Sequence, residues 1–238
     1  MSKMIPEYIN VSDSIKWEGE KQVYLALRNQ CPSNWVVFHS LWMKTHNMKI
    51  NAEADFVVIT DYAVLVLEVK GGKISMNSQG LWIQEKTGEV PVIRSESPFK
   101  QAAGAMYGLQ KYLKEKCKKQ ELVDNYVWGT GVITPHVNLI LPVNSPEFDD
   151  EMILDKCSFN DGLKDFCMNL AQYWKNRIKS KKGKDINSEI AEEIKREFIS
   201  LLKPVFQSIE SADFSLNDVE NQIVHLTDEQ IVSLDIIR

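Results

Sequence analysis

Cysteine is scarce: four in 238 residues, Cys31, Cys117, Cys157 and Cys167, with no Cys-x-x-Cys pair and no paired His–Cys spacing. That argues against a structural zinc and against a disulfide framework, and free thiols suit a reducing cytosol. Long apolar runs are also missing; no stretch approaches the ~18 residues that a membrane span needs. The N-terminal stretch "MSKMIPEYINVSDS" has no apolar h-region of a secretory signal. Nor is there a basic excess, since 28 Lys+Arg against 33 Asp+Glu leave a formal net charge of -5. A passive, charge-driven nucleic-acid binder is thereby disfavoured, whereas an enzyme with a local groove is not. No internal repeat or low-complexity tract is present. A hydrophobic fraction of 44% and a charged fraction of 26% fit a soluble, cytoplasmic globular protein. The length allows one large domain, or one domain with an appendage.

What is there reads as alternating helices and strands. "SDSIKWEGEKQVYLALRNQ" predicts a helix over residues 16–29, with Ser14 as cap and Trp17, Glu20, Tyr24 and Leu27 on one face. "NWVVFHSLW" predicts a strand, and "LWIQ" and "VPVIR" flank "EKTGE" as a hairpin. "SPFKQAAGAMYGLQKYLKEKCKK" predicts a second helix, with Ser97 at N-cap and Pro98 at N1. Its buried stripe is Phe99, Ala102, Met106, Leu109 and Leu113. "YVWGTGVITPHVNLIL" supplies one or two more strands, and from about Asp161 the chain reads as helical. This order predicts an α/β domain with a mixed sheet.

The most informative segment is "INAEADFVVITDYAVLVLEVKGG", residues 50–72. Pairing "FVVIT" with "AVLVL" across Asp61 and Tyr62 sets Thr60 opposite Ala63. The same register sets Asp55 opposite Glu68 and Glu53 opposite Lys70, all on one face. Directly opposed Cβ atoms lie about 5 Å apart, so Asp55 and Glu68 can share one cation. A divalent metal with oxygen ligands suits such a pair, since Mg²⁺ takes one or two carboxylates plus water and substrate phosphate. Taken alone, the Asp-x(12)-Glu-x-Lys pattern fits equally a solvated hairpin face with cross-strand ion pairs, Glu53 with Lys70 for example. The apolar context shifts the balance: Leu65, Leu67 and Val69 line one face, Val64 and Val66 the other, and Glu68 belongs to a strand apolar on both.

Asp55 with Glu68-Val69-Lys70 resembles the PD-(D/E)xK nuclease core, and the chain as a whole resembles the nuclease-related domain, NERD. The matching elements, in the family's order, are Gly19-Glu20 on the first helix, Glu53-Ala54-Asp55, and Leu67-Glu68-Val69-Lys70-Gly71. Gly80-Leu81-Trp82 in a hairpin and Ser97-Pro98 with Gln101 follow. The similarity covers roughly residues 17–142. Ala54 departs from the family's usual Ile without removing an acid. The resemblance implies a restriction-endonuclease-like core with a mixed central sheet flanked by helices, plus a C-terminal helical extension. It also implies DNA cleavage with Mg²⁺ or Mn²⁺, with Asp55 and Glu68 as metal ligands and Lys70 as the catalytic lysine. Glu20 is implied at the site edge, and Gln101 as a polar contact. Read from their surroundings alone, Glu20 is an exposed helix carboxylate near Lys16 and Gln101 an exposed first-turn residue.

The expected organisation is a nuclease-like domain over residues 1–150, a helical extension over 151–225, and a possible start of a helicase core over 226–238. Leu226-Thr227-Asp228-Glu229-Gln230 resembles the segment that precedes the Walker A strand in superfamily-1 helicases, to which NERD domains are commonly joined. The same residues also read as a capping box. No GxxxxGK[ST] motif follows. The functional expectation is thus a metal-dependent DNA nuclease module, with DNA and a helicase module of a longer chain as partners and no membrane. The alternative is a catalytically silent nucleic-acid-binding or helicase-interaction module. Basic stretches over 111–119 and 175–184 can touch phosphates or can be solvated helix ends. His39, His46, His136 and His225 show no ligand spacing and read as lone strand, loop or cap residues. The six tryptophans read as core.

Overall fold

The computed structural model describes residues 1–7, 18–43, 52–85, 88–139, 145–177 and 188–203. Ser14, Trp17, His46, His225 and the Leu226–Gln230 motif lie outside them. In chain order the first elements are β1 (Lys3–Ile5), α1 (Glu18–Gln30), β2 (Val36–Met43), β3 (Ala52–Ile59) and β4 (Ala63–Val69). Three short strands follow: β5 (Lys73–Met76), β6 (Trp82–Glu85) and β7 (Val92–Arg94). Then come α2 (Pro98–Lys116), α3 (Gln120–Asn125), β8 (Val127–Thr134), β9 (Ile153–Asp155), α4 (Lys156–Arg177) and α5 (Ser188–Leu202).

The main sheet has the order β1-β2-β3-β4-β8-β9. It is mixed: β2–β3 and β3–β4 are antiparallel, while β1–β2, β4–β8 and β8–β9 are parallel. The parallel pairs β1–β2 and β4–β8 are bridged by helices α1 and α2, as parallel neighbours require. At the centre, every residue of β4 is buried, which is what its two-faced apolar sequence demands. One face carries Phe56, Val58, Leu65 and Leu67 in a core with Val23 and Leu27 of α1 and Leu163, Phe166 and Leu170 of α4. The other face, with Val57, Ile59, Val64 and Val66, is covered by the buried stripe of α2, which includes all five expected residues.

Helix α4 lies close on β8 because "GTG" leaves room. A Cβ on Gly129 would stand 2.3 Å from the Trp174 ring, and one on Gly131 2.8 Å from Leu170. Trp174 then donates its indole N–H to Thr130 O at 3.0 Å. Residues on both sides of position 150 therefore share one sheet and one core. Residues Met1–Leu201 form one compact unit. A separate antiparallel sheet, β5-β6-β7, contains the expected "LWIQ"/"VPVIR" hairpin. Among the described residues, no helix is long and apolar enough to cross a membrane.

Candidate active site

The β3–β4 register runs from Ile59↔Val64 to Phe56↔Leu67, which sets Asp55 opposite Glu68 as the sequence predicts. The ladder ends at this point. Bonded pairs alternate along an antiparallel ladder, and Thr60 N–H bonds Ala63 O at 2.8 Å, so Val69 N–H would next reach Ala54. It reaches Asp55 Oδ2 instead, at 2.7 Å. On the opposite flank, the β2–β3 pairing skips from His39↔Phe56 to Leu41↔Ala54, leaving out Ser40. Ser40 sits at φ 53°, a left-handed conformation that costs a non-glycine residue about 1–2 kcal/mol. Its hydroxyl donates to Glu53 Oε1 at 2.5 Å. The sheet therefore loosens on both sides of Asp55, and the carboxylate sits where backbone pairing has been given up.

Electrostatics at this end are unbalanced. Glu68 is buried, with 7% of its surface exposed, and Lys70 holds Nζ 2.5 Å from Glu68 Oε1. Burial, and next the charge of Glu68, hold the Asp55 carboxyl well above its ordinary pKa, with Glu20 adding to the shift. The Val69 N–H and Lys70 oppose it. Burial likewise raises Glu68; the charge and hydrogen bond of Lys70 pull it down, while Glu20 and Glu53 push it up. One ammonium thus faces several carboxylates in a poorly hydrated place. The Glu53–Lys70 ion pair that the solvated-face alternative would allow does not form: Glu53 takes Ser40, and Lys70 takes the nearer acid on its own strand.

Glu20 comes from α1 on the far face of the sheet. The helix start can approach because Gly19 has no side chain: a Cβ there would stand 3.3 Å from Gly71 Cα. His39 Nε2 lies 3.3 Å from Glu20 Oε2, with its ring against Phe56 and Tyr24 at centroid distances of 4.8 and 5.8 Å. His39 is therefore no stray strand residue. No local spacing reveals it, because the contact exists only once α1 docks on β2. Gln101 lies in the first turn of α2 and lines a cleft with Lys70, rather than touching the acids. Of the five sequence-predicted residues, the fold gathers Asp55, Glu68 and Lys70 tightly, brings the charge of Glu20 to bear on both acids, and leaves Gln101 across the cleft.

The donors fit a hard divalent cation. Among the described residues, no group of three or more His, Cys, Asp or Glu side chains is arranged to hold a metal. Two carboxylates, however, are the usual protein share of a Mg²⁺ shell, water and phosphate completing it. Asp55 is oriented through Oδ2 and Glu68 through Oε1, and among the described residues their other oxygens have no hydrogen-bond partner. Burial is the first cause of both raised pKa values, and a cation between the acids would oppose it.

The family model for the nuclease-related domain matches residues 15–133. No curated protein matches this chain, and no solved structure does. The matched span contains α1, the β3–β4 hairpin, the small sheet, α2 and most of β8. The chain belongs to the nuclease-related domain family.

Proposed function

We propose that this chain is a metal-dependent deoxyribonuclease domain, hydrolysing phosphodiester bonds of DNA with Mg²⁺ or Mn²⁺ held by Asp55 and Glu68. The observation that carries the reading is the carboxylate pair of half-buried Asp55 and buried Glu68, raised in pKa, at the point where β3 and β4 part. A structural ion pair would be matched in charge; this one is in excess. The chemistry supplied by a divalent cation at such a pair is charge neutralisation on phosphate and a lower pKa for water. The protein does the rest. Val69 N–H orients Asp55, and Lys70 orients Glu68. Lys70 keeps its ammonium beside the acids, where it stabilises negative charge building on a reacting phosphate. Glu20, steadied by His39, adds negative potential at the same spot, and Gln101 lines the cleft beside Lys70 from α2.

A catalytically silent DNA-binding or helicase-interaction module of the same fold is the alternative, and the engagement of Lys70 by Glu68 is the observation that favours it. We also read the domain as the nuclease part of a longer cytoplasmic, helicase-linked protein, on the Leu226-Thr227-Asp228-Glu229-Gln230 motif. The test is cleavage of a labelled plasmid and a labelled oligonucleotide with Mg²⁺, Mn²⁺ or EDTA. Cutting that needs the metal and is lost in Asp55→Ala supports the nuclease. DNA binding without cutting under either metal selects the silent module.

A further inference from the structure

A cleft opens beside Lys70 on the α2 side of the sheet, between the small sheet and the start of α2. Its lining includes Lys70, Trp82, Gln84, Arg94, Glu96 and Gln101. Residues on alternate rows of a sheet share a face, so the rows Ile74↔Gln84↔Val92 and Met76↔Trp82↔Arg94 put Arg94 with Ile74, Gln84 and Trp82. That face is turned toward the domain: Ile74 is buried, Trp82 packs 6.0 Å from the Phe99 ring, and Gln84 Nε2 donates to Gly71 O at 2.9 Å. The last bond ties the small sheet to the segment that carries Lys70.

Arg94 is out of keeping with such a face. It is an arginine on the face that carries Ile74, Trp82 and Gln84, solvent-exposed at the cleft, and among the described residues it has no ion-pair partner. Glu96 lines the same cleft but lies beyond ion-pair distance. Ile93 and Val92, its neighbours in β7, are apolar and exposed, so the charge is not simply a solubilising feature of a polar strand. The first turn of α2, on the opposite wall, carries no acidic side chain. A guanidinium presents a planar fork that grips phosphate oxygens two at a time.

We propose that this cleft is the groove for the DNA strand being cut, and that Arg94 binds a backbone phosphate flanking the one at Lys70. The assignment rests on the nuclease reading for its substrate, and it concerns binding rather than chemistry. It is tested on the whole chain by measuring the affinity of a fluorescent oligonucleotide in EDTA across a salt series, for wild type, Arg94→Ala and Arg94→Lys. One lost phosphate contact lowers the slope of log K against log salt by about 0.7 on a single strand, or 0.9 on a duplex. Arg94→Ala should show that loss with a weaker Kd, and, in Mg²⁺, a higher KM at unchanged kcat. Arg94→Lys should keep the slope. An unchanged slope and Kd in Arg94→Ala, with an unchanged melting curve, would overturn the groove. If wild type cuts DNA but Arg94→Ala binds normally, the groove fails and the nuclease stands. Absent cutting by wild type alongside a reduced slope in Arg94→Ala would sink the nuclease and keep Arg94 as a phosphate contact of a DNA-binding groove.

Discussion

The two ends of the β3–β4 hairpin handle charge in opposite ways. At the turn, Lys195 of α5 is almost wholly buried, 2% exposed, and its ammonium is fully partnered: it donates to Asn34 O, to Asp61 Oδ1 at 2.8 Å and to Glu192 Oε1 at 3.0 Å. Asp61 and Glu192 are half-exposed, so the surplus negative charge there faces water. The turn itself is closed by Thr60, whose hydroxyl accepts the Ala63 N–H at 2.9 Å. At the open end, the surplus lies on half-buried Asp55 and buried Glu68. Both ends put charge inside a protein, but only one leaves it unbalanced. Burying charge is tolerable when it is partnered and costly when it is not, so the unbalanced end is where the proposed cation would lower the cost most.

The sharpest way to break this contrast is at Lys70. Lys70→Ala leaves both carboxylates in place, so Mg²⁺ should still raise the melting temperature and DNA affinity should hold, since affinity is spread over many phosphate contacts. Cleavage should fall by about a hundredfold, the ~3 kcal/mol that a charge aimed at a transition state supplies. A drop in binding that matches the drop in rate would make Lys70 a docking residue instead.

At the other end, Lys195→Met keeps the aliphatic stem but strands Asn34 O. It should cost about 1–3 kcal/mol of stability, with about 2–4 °C lost per kcal/mol in a chain of this size. Cleavage at a temperature where the variant is folded should be unchanged. A fall in rate without a fall in stability would erase the distinction between the two ends.

Asp55→Asn should do the reverse of Lys195→Met. The amide oxygen can still accept the Val69 N–H, while the poorly hydrated charge is gone, so the metal-free variant should melt higher than wild type at neutral pH. Both acids have folded pKa values above their unfolded ones, near 4, so the folded state holds more protons. Their contribution is fully present below the unfolded value and is lost as pH rises through the raised folded values. Wild type without metal should therefore lose stability as pH climbs out of the carboxylate range, and Asp55→Asn should flatten that slope. Equal slopes in the two proteins, from melting curves at a series of pH values, would contradict it.

The hairpin is legible in the sequence because period two and the Thr60–Ala63 turn fix the register, and that register alone brings Asp55 to Glu68. Helix α2 is legible too, since Ser97-Pro98 starts it and the Ser97 hydroxyl accepts the Lys100 N–H at 3.1 Å. The rest of the site depends on contacts between elements remote in sequence. Glu20 reads as a surface acid until Gly19 meets Gly71, and Ser40 reads as an ordinary strand residue until its backbone turns left-handed. Strands β1 and β9 have three residues each, too few for a period to show. Lys195 reads as a solvated helix lysine because nothing local shows that α5 covers it.

The smallest expected effect is at Gly19. In Gly19→Ala the added carbon would meet Gly71 Cα at 3.3 Å, so α1 must shift slightly at the end that carries Glu20. Alanine's gain in helix propensity, up to ~1 kcal/mol, offsets the crowding. Melting should be nearly unchanged, while the cleavage rate falls severalfold. A rate equal to wild type would show that the position of Glu20 matters little.

The central claim is that the unbalanced charge at Asp55 and Glu68 is a divalent-cation site. Titrating the metal-free protein with Mn²⁺ and reading free Mn²⁺ by electron paramagnetic resonance tests it without recourse to activity. Wild type should take up Mn²⁺, Lys70→Ala should do the same, and folded Asp55→Asn should not. Uptake by Asp55→Asn equal to wild type, or none by wild type at millimolar Mn²⁺, would contradict the account.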